Sequence, residues 1–570
     1  MLAVPTDWNG TGGIDVVART NEVCRDRPAV WLGATTHAIR LGADGLVIGP
    51  LFRRGGTQPL SKLGDAFESD CSPIEIAGRL VREYWGGYFA AGLDPDRGGI
   101  WALSEPSGLL PVYRATTRTH ALLATEVGLL VDAGLKWPAI AWAALADHMR
   151  YPELRQAQTC LTGVHQLAPG YLVRTARDAG SPLSIWRPDT FMPRGRLPDF
   201  AESVAALRSC AVETIGAWAR LNGPVAVAAS GGVDSSFICA ALAHAKQPFG
   251  CVTLATADPS GDESTFVTAL GQHLGVEVVT AAYDAGLVDI TRPASSGLPR
   301  PNRRTFLQAL DVALDQARSE LGATTVFDGN GGDNLFCYLH SAAPVVDCLS
   351  IRGPWPAFST MHDMCAVTGC DLAAMGRATW RRYKRGASRK PWAADLRLLA
   401  ADLQSAGTVE PLTPWLCAQV GAHRGKIDHL ALILQAQNHI HGLGGTGGPR
   451  FSPLMSQPLL ELCLTLPTWL WCQGGINRAI ARAAFASDLP PSILRRTSKA
   501  GPDSMIRQIF ARNRGKVRDL LLGGSLAAEG VLDRHAVAAA MATDTLSKDA
   551  IVYRLLDLVE AENWVRSWLR

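Results

Sequence analysis

Residues 225–236 read VAVAASGGVDSS, a short apolar run that stops abruptly at two glycines, an acid and three hydroxyls. Val225 to Ala229 are small and apolar, the texture of a strand buried on both faces of a parallel sheet. Phe237 to Ala245 follow a helical pattern, so Ser230–Ser236 is a strand-to-helix turn. Gly231 and Gly232 let the backbone approach a ligand closely and take positive φ. The amides of such a turn, with a helix N-terminus worth roughly half a positive charge, point at an anion. Ser230, Ser235 and Ser236 add hydroxyl donors, whereas Asp234 is a carboxylate where an anion site should not want one. An acid beside phosphates makes sense if Mg²⁺ lies between them.

The rest of the chain brackets this turn. At 570 residues it exceeds a single core, so two or three domains are expected. Strand and helix signals alternate on both sides of the turn: strands at 225–229, 251–255, 276–280 and 324–328, with helices to about Lys246, near Glu263–Leu274 and near Arg304–Leu321. That alternation predicts a doubly wound parallel sheet. Beyond about residue 340 the pattern is nearly all helical. The first 190 residues have another texture, short β-like runs broken by glycine (AVWLG, AIRLG, GLVIGPLF, GGYFAAGLD, GIWALSE, HALLATE, GYLVRT) with helices near Ser72–Tyr84 and Pro138–Met149. This predicts a layered α+β region. The three prolines of Arg187–Asp199 mark a linker.

Bulk numbers exclude several classes. A formal charge of +3 argues against a dedicated nucleic-acid binder. The basic cluster Arg377, Arg381, Arg382, Lys384, Arg385, Arg389 and Lys390, interleaved with Trp380 and Tyr383, reads as a solvated helix and loop. Thirteen cysteines form no CxxC pair, and Cys239 and Cys251 fall in apolar runs as buried thiols. The first residues lack signal-peptide character, and no apolar run approaches the ~20 residues that span a bilayer. A reduced, cytoplasmic protein without membrane partners is expected.

The complete SGGVDSS between strand and helix resembles the pyrophosphate-binding loop of the ATP pyrophosphatases, the group that includes asparagine synthetase. Three further strings follow the asparagine synthetase group in order. Asp262-Glu263 stands where a helix opens after the second strand; FDGNGGDNLF (327–336) resembles SGEGSDEIF; LPPSILRRTSKAG (489–501) resembles the segment whose lysine contacts the reacting centre. The resemblance implies ATP and Mg²⁺ as cofactors. It assigns the nucleotide to Ala229, Ser230, Gly231, Gly232, Val233, Asp234, Ser235, Ser236, Leu254, Asp328 and Gly329, the metal to Asp234 and Asp333, and catalysis to Lys499, Asp234 and Asp333.

The N-terminal half is similar to the class II glutamine amidotransferase domain of asparagine synthetases through WGGYFAAGLD (85–94), LSEPSGLLPVYR (103–114), LLATEVGLLVDAG (122–134) and VHQLAPGYLV (164–173). The family's nucleophilic cysteine follows the initiator methionine, and this chain has Leu2 there. An N-terminal nucleophile uses its own amine as base, so nothing replaces it. The expected organisation is a degenerate amidotransferase-like α+β domain over 1–190 without glutaminase activity, a linker over 191–204, and an ATP pyrophosphatase domain over 205–570 with a largely helical C-terminal part.

Without glutamine as amine donor, two groups of relatives fit, β-lactam synthetases and the macrolactam synthetases of lasso peptides. GNGGDNLFCYLHSAAPVVD (329–347) and FSPLMSQPLLELCLTLPTWLWCQGGINRAIARAAF (451–485) resemble the second. Asn334 replaces a synthetase glutamate, Ser456-Gln457 replaces an aspartate in the segment expected to recognise free aspartate, and the glycines of HGLGGTGGPR (441–450) suit a wider mouth. The implied substrate is a precursor core peptide, and the implied pathway partners are a leader peptidase and a leader-recognition protein. His439 and His441 lie near the expected acceptor region, with core or surface roles as the plainer alternative. A catalytically inactive peptide-binding scaffold would need a broken loop, and SGGVDSS is intact.

Overall fold

The structure, a computed structural model, describes the chain apart from residues 6–14, 18–27, 34–35, 43–44, 64–66, 68–70, 95–98, 175–180, 194, 256–261, 386–391, 406–408, 410, 413–414, 416–423, 442–448, 497–500, 543–548 and 570. The glycine-broken runs of the first 190 residues form two six-stranded sheets. One orders its strands His165–Gln166, Tyr113–Thr116, His120–Ala124, Leu2–Pro5, Ala29–Trp31 and Asp15–Val17. The other runs Leu183–Ser184, Tyr171–Arg174, Ile100–Ser104, Phe89–Leu93, Gly45–Ile48 and Ala38–Leu41. Pairing is antiparallel except between Asp15–Val17 and Ala29–Trp31.

Alternation along these strands serves two interiors. Leu2, Val30, Ile48, Phe89, Ile100 and Leu123 come from both sheets and fill the space between them. The opposite faces pack on helices. Ala3, Ala115 and Leu122 of the first sheet join Val127–Asp132, Trp142–Arg150 and the C-terminal helices Asp503–Gly523 and Asp549–Trp568. Ile39, Val47 and Trp101 of the second join Pro73–Glu83 and Phe200–Asn222. The region is therefore helix, sheet, sheet, helix.

The connector is shorter than the 191–204 expected. Asp199 and Glu202 form a capping box, so the helix Phe200–Asn222 starts inside that range. Proline density marks the turn well but says nothing about where the next cap falls.

The alternating segment forms a parallel sheet of five strands: β1 (Val225–Ala228), β2 (Phe249–Ala255), β3 (Val278–Ala282), β4 (Thr325–Asp328) and β5 (Arg450–Phe451), ordered β3-β2-β1-β4-β5. Chain direction across the sheet reverses between β1 and β4, and at such a switch point the strand-end loops diverge and leave a crevice. β5 corrects the all-helical expectation beyond residue 340. Two residues are too few to show a strand period; Phe451 is recruited by pairing with Phe327, supported by Val326 N donating to the Pro449 carbonyl at 2.9 Å. The helix Val233–His244, between this sheet and its neighbours, is buried at every position from Val233 to Leu242, as a helix apolar on all sides must be.

One continuous core joins the two regions. Phe52 stacks on Trp85 at 4.6 Å, both meet Trp218 edge-on, and Trp218 lies 4.3 Å from Phe451 of β5. Polar ties reinforce it: Trp186 Nε1 donates to Glu461 at 2.8 Å, and Arg54 pairs with the same carboxylate at 2.7 Å. Cys239 and Cys251 are buried free thiols with sulfurs 3.7 Å apart. Of the basic cluster, Arg382 on the helix Leu372–Arg385 pairs with Asp428, and Lys384 lies over the Trp380 ring; Arg389 and Lys390 fall outside the described residues. Among the described residues no helix is long and apolar enough to cross a membrane.

Candidate active site

The turn after β1 is built as its sequence requires. Ser230 N donates to Ser235 Oγ at 3.1 Å and Gly232 N to Ser230 Oγ at 3.3 Å, so the hydroxyls first serve to close the loop. Gly231 has φ +61°, and a Cβ there would sit 2.4 Å from Cβ of Phe266. Only glycine meets both conditions. The helix then starts at Val233 without a side-chain cap, the arrangement that offers first-turn amides to an anion.

A second loop, after β4, closes on the first. Gly332 lies so near Asp234 that a Cβ would be 2.4 Å from the carboxyl carbon, and a Cβ on Gly329 would be 3.0 Å from Ser235 N. Asp234 and Asp333 thereby converge on one guanidinium. Arg478 Nη1 donates to both oxygens of Asp234 at 3.0 Å and to Asp333 at 2.5 Å, with its guanidinium over the Tyr338 ring. Arg478 takes a left-handed backbone, φ +55°, a strained choice for a non-glycine residue that surrounding contacts must hold. Arg482 supplies much of that support. It donates to the carbonyls of Asn477, Ile493, Leu494 and Arg496, and its own pKa is pushed down to about 10 by burial and by Arg478.

Arg496 clamps the first loop from the other side. It donates to the Ser230 carbonyl at 2.7 Å, pairs with Glu263 and lies 4.2 Å from the centre of the Phe266 ring. The Asp262-Glu263 pair has split roles: Asp262 accepts from Ser264 N, while Glu263 holds Arg496.

These loops rim a cavity of about 610 Å³ at the carboxyl ends of β1, β2 and β4. Of the residues expected at the nucleotide, Ala229, Ser230, Leu254 and Asp328 line it; Gly231 to Ser235 and Gly329 form the turns beside it. Ser236 is fully buried, its hydroxyl without a hydrogen-bond partner and away from the cavity wall. Lys499 lies outside the described residues. Burial raises the Asp328 carboxyl above its ordinary pKa, opposed by Arg450, Ser452 and Asn330 N. Among the described residues, two polar atoms on the wall are buried without partners, Thr253 Oγ1 and Asn302 Oδ1. Such orphans cost about 1–3 kcal/mol each unless a ligand or water satisfies them.

Among the described residues no three or more His, Cys, Asp or Glu side chains group to hold a metal. Asp234 and Asp333 nevertheless fit Mg²⁺, which takes one or two carboxylates and completes its shell with phosphate oxygens and water. Both carboxylates already face one cationic group.

Two sequence expectations are corrected. Ser456 and Gln457 do not face the cavity. Ser456 Oγ accepts from Trp218 Nε1 at 2.8 Å and donates to the Pro453 carbonyl; Gln457 donates to the Val81 carbonyl and to Glu461. Both are fully buried, so their identity serves packing between regions, not acceptor recognition. Asn334 likewise donates to the Leu432 carbonyl, docking one helix on another. Conversely, Arg478 and Arg496 were absent from the expected site. Their signal was faint, arginines within INRAIARAAF and LPPSILRRTSKAG. His439 and His441 do line the cavity.

A glycine-serine turn at the carboxyl end of a β3-β2-β1-β4-β5 parallel sheet is the architecture in which α/β proteins bind phosphate-bearing ligands. The chain belongs to the asparagine synthase family, whose profile matches residues 211–422 and 451–566, more than half of its length. It is similar to amidase chry2 of Gibberella zeae, 27% identical over 312 residues covering 48% of this chain and 44% of the relative. Amidase chyE of Penicillium rubens is 26% identical over 265 residues, 43% of this chain and 38% of the relative. The chain thus spans less than half the length of these curated relatives. Among solved structures, a glutamine phosphoribosylpyrophosphate amidotransferase from B. subtilis, complexed with ADP and GMP, covers 50% of this chain and 70% of its own at 11% identity and a TM-score of 0.18, too slight to argue from.

Proposed function

We propose that this protein is an ATP-dependent, AMP-forming amide ligase that closes a macrolactam in a ribosomally made lasso peptide. The observation that carries the ligase reading is the pair Asp234 and Asp333, converging from two strand-end loops beside the intact SGGVDSS turn. Condensing a carboxylate with an amine in water is uphill, so the carboxylate is activated first. ATP phosphates fit the Ser230–Ser236 turn, and the apolar wall of Leu254, Val252 and Leu314 suits a base. Mg²⁺ held by Asp234 and Asp333 would neutralise charge on the departing pyrophosphate. Arg478 supplies a fixed positive charge at the same point, and Lys499 a further one in the expected reading. A substrate Asp or Glu carboxylate attacks the α-phosphorus, and the peptide's N-terminal amine then attacks the acyl carbon and releases AMP.

The amine source rests on the N-terminal region, proposed to be a degenerate class II amidotransferase-like domain over 1–190, joined through 191–204 to the ligase domain over 205–570. Its layering of two sheets agrees with that reading, and Leu2, 1% exposed, is packed into the apolar space between them. Among the described residues, that packing gives Leu2 no nucleophilic group to offer glutamine. The proposed amine is intramolecular, and ordering it beside the activated acyl group reaches effective molarities on the order of 10⁵–10⁸ M. The peptide-specific step rests on the strings at 329–347 and 451–485; Ser456-Gln457 no longer contributes to it. A core peptide, a leader peptidase and a leader-recognition protein are the partners this function requires.

A small-molecule amide ligase of the β-lactam synthetase kind is the second reading, favoured by a cavity of about 610 Å³ that suits ATP and a small acceptor. Mass spectrometry separates them. Incubation with ATP, Mg²⁺ and leader-free peptides encoded beside the gene should yield an ATP-dependent loss of one water. Unchanged peptides together with turnover of a small amino acid would favour the second.

A further inference from the structure

The amide-forming step needs a base, because the attacking nitrogen must shed a proton as the C–N bond forms. Two histidines share the cavity with Ser230 and Asp328, His439 and His441. They differ in their surroundings. Burial, then Arg155 and Arg303, hold His441 well below the ordinary imidazole pKa. His439 instead has an acid partner: its Nε2 lies 3.3 Å from Oε2 of Glu153, an ion-pair contact rather than an aligned hydrogen bond. His439 lines the cavity and is 40% exposed, whereas Glu153, 31% exposed, lies outside the cavity lining and reaches it only through His439.

The pair spans both halves of the chain. Glu153 follows the helix Trp142–Arg150 of the N-terminal region, and His439 follows the helix Arg424–Gln437. Four hydrogen bonds fix the segment that carries His439. Arg155 donates to the Ile440 carbonyl at 2.9 Å, Gln437 to the Ser107 carbonyl at 2.8 Å and Asn302 to the Asn438 carbonyl at 2.9 Å, while His439 N donates to the Ala436 carbonyl. Burial would raise the Glu153 carboxyl, but His439 and Gln435 outweigh it and hold it below its ordinary value, so it is charged. Arg304 and Asp557 also face Glu153, and His441 lies close to His439.

We propose that His439 is the general base of amide formation and that Glu153 is its positioning residue; the proposal rests on the ligase reading. With Nε2 paired to Glu153, Nδ1 takes the proton from the attacking amine. The amine nitrogen bonds to the acyl carbon, the C–O bond to the adenylate breaks, and its electron pair leaves on AMP. A positioned base of this kind contributes about 10²–10⁴ in rate.

The test uses the full chain with ATP, Mg²⁺ and a panel of linear peptides carrying a free N-terminus and an internal Asp or Glu. Two rates are read, peptide-dependent ATP–pyrophosphate exchange and loss of water by mass spectrometry. His439→Ala and His439→Gln should slow condensation at least ~100-fold while exchange persists, and imidazole should partly rescue His439→Ala. Glu153→Gln should lower the kcat of condensation while the peptide KM and the exchange rate hold, and Glu153→Asp should restore part of it; a merely structural Glu153 would lower exchange along with condensation. Condensation at the wild-type rate in both His439 variants would overturn the base and leave the ligase reading standing. Loss of exchange along with condensation in both variants would overturn it too, assigning His439 to the fold. Exchange without condensation in the wild type would remove the amide-forming reading and the base with it.

Discussion

The space between the two antiparallel sheets and the carboxyl end of the parallel sheet are the two interiors where chemistry would be expected, and they are finished in opposite ways. Among the described residues, the first holds an apolar cluster that includes Leu2, Val30, Phe89, Ile100 and Leu123. The second is a cavity of about 610 Å³ walled by hydroxyls, carboxylates, arginines and histidines, with Thr253 Oγ1 and Asn302 Oδ1 buried and, among the described residues, unpartnered. A filled interior contributes stability; an interior left open with orphaned polar atoms costs stability and makes sense only if a ligand fills it. The difference teaches that an apolar cluster between sheets and a polar-walled cavity at strand ends are finished for different ends, packing in the one and room for a ligand in the other.

Substitutions at the open end should have the largest effects. Asp234→Ala and Asp333→Ala should each cut ATP–pyrophosphate exchange by about 10²–10³ or more, since each removes a carboxylate that would hold Mg²⁺ against the phosphates. Full exchange in Asp333→Ala would remove the metal assignment. Arg478→Ala should cost about 10²-fold and also lower the melting temperature, because Asp234 and Asp333 would face each other without their shared cation. Arg478→Lys should fall between, a point charge replacing a fork. Arg496→Ala releases the Ser230 carbonyl and should raise the KM for ATP about tenfold, roughly 1.4 kcal/mol, with a smaller change in kcat.

At the filled end the readout moves from rate to stability. Leu2→Ala should destabilise by about 2–5 kcal/mol in denaturant unfolding while exchange per folded molecule stays unchanged. A loss of exchange without a loss of stability would break the contrast between a packed interior and an open one.

The smallest effect concerns Glu105, buried beside Ser107 and accepting from Ser107 N and Oγ. Burial raises its pKa from 4.5 to about 7, against the hydrogen bonds of Ser107, Leu110 and Leu109. The folded protein therefore holds a proton that the unfolded chain releases. The stability contributed is fully present below pH 4.5 and is lost as pH rises toward 7. Glu105→Gln should flatten the stability curve across that window, and an unchanged slope would place the titration elsewhere.

Much of the scaffold was legible because it is local. The strands at 225–228, 249–255 and 325–328 and the helices after them follow from apolar period and glycine placement, whereas the capping box Asp199–Glu202 went unread beneath the expected linker. The turn at Ser230–Ser236 was legible in the same way. What escaped notice comes from far along the chain. Arg478 meets Asp234 across 244 positions, and Arg496 meets Ser230 across 266. An arginine in a helix-rich segment carries no mark that its guanidinium will lie between two carboxylates. Ser456 and Gln457 show the reverse error: a change of residue type near expected site motifs looked functional, yet both side chains are spent on Trp218, Val81 and Glu461.

The sequence by itself determined the parallel sheet, the glycine-serine turn and the acids Asp234 and Asp333 on its loops, because each depends on backbone period, on glycine or on residue type within a few positions. Only the tertiary structure decided which charges neutralise those acids, which histidine has an acid partner, and which of the two interiors stays open. Those outcomes depend on where side chains hundreds of residues apart come to rest once one core has joined both regions, and chain order does not encode that distance.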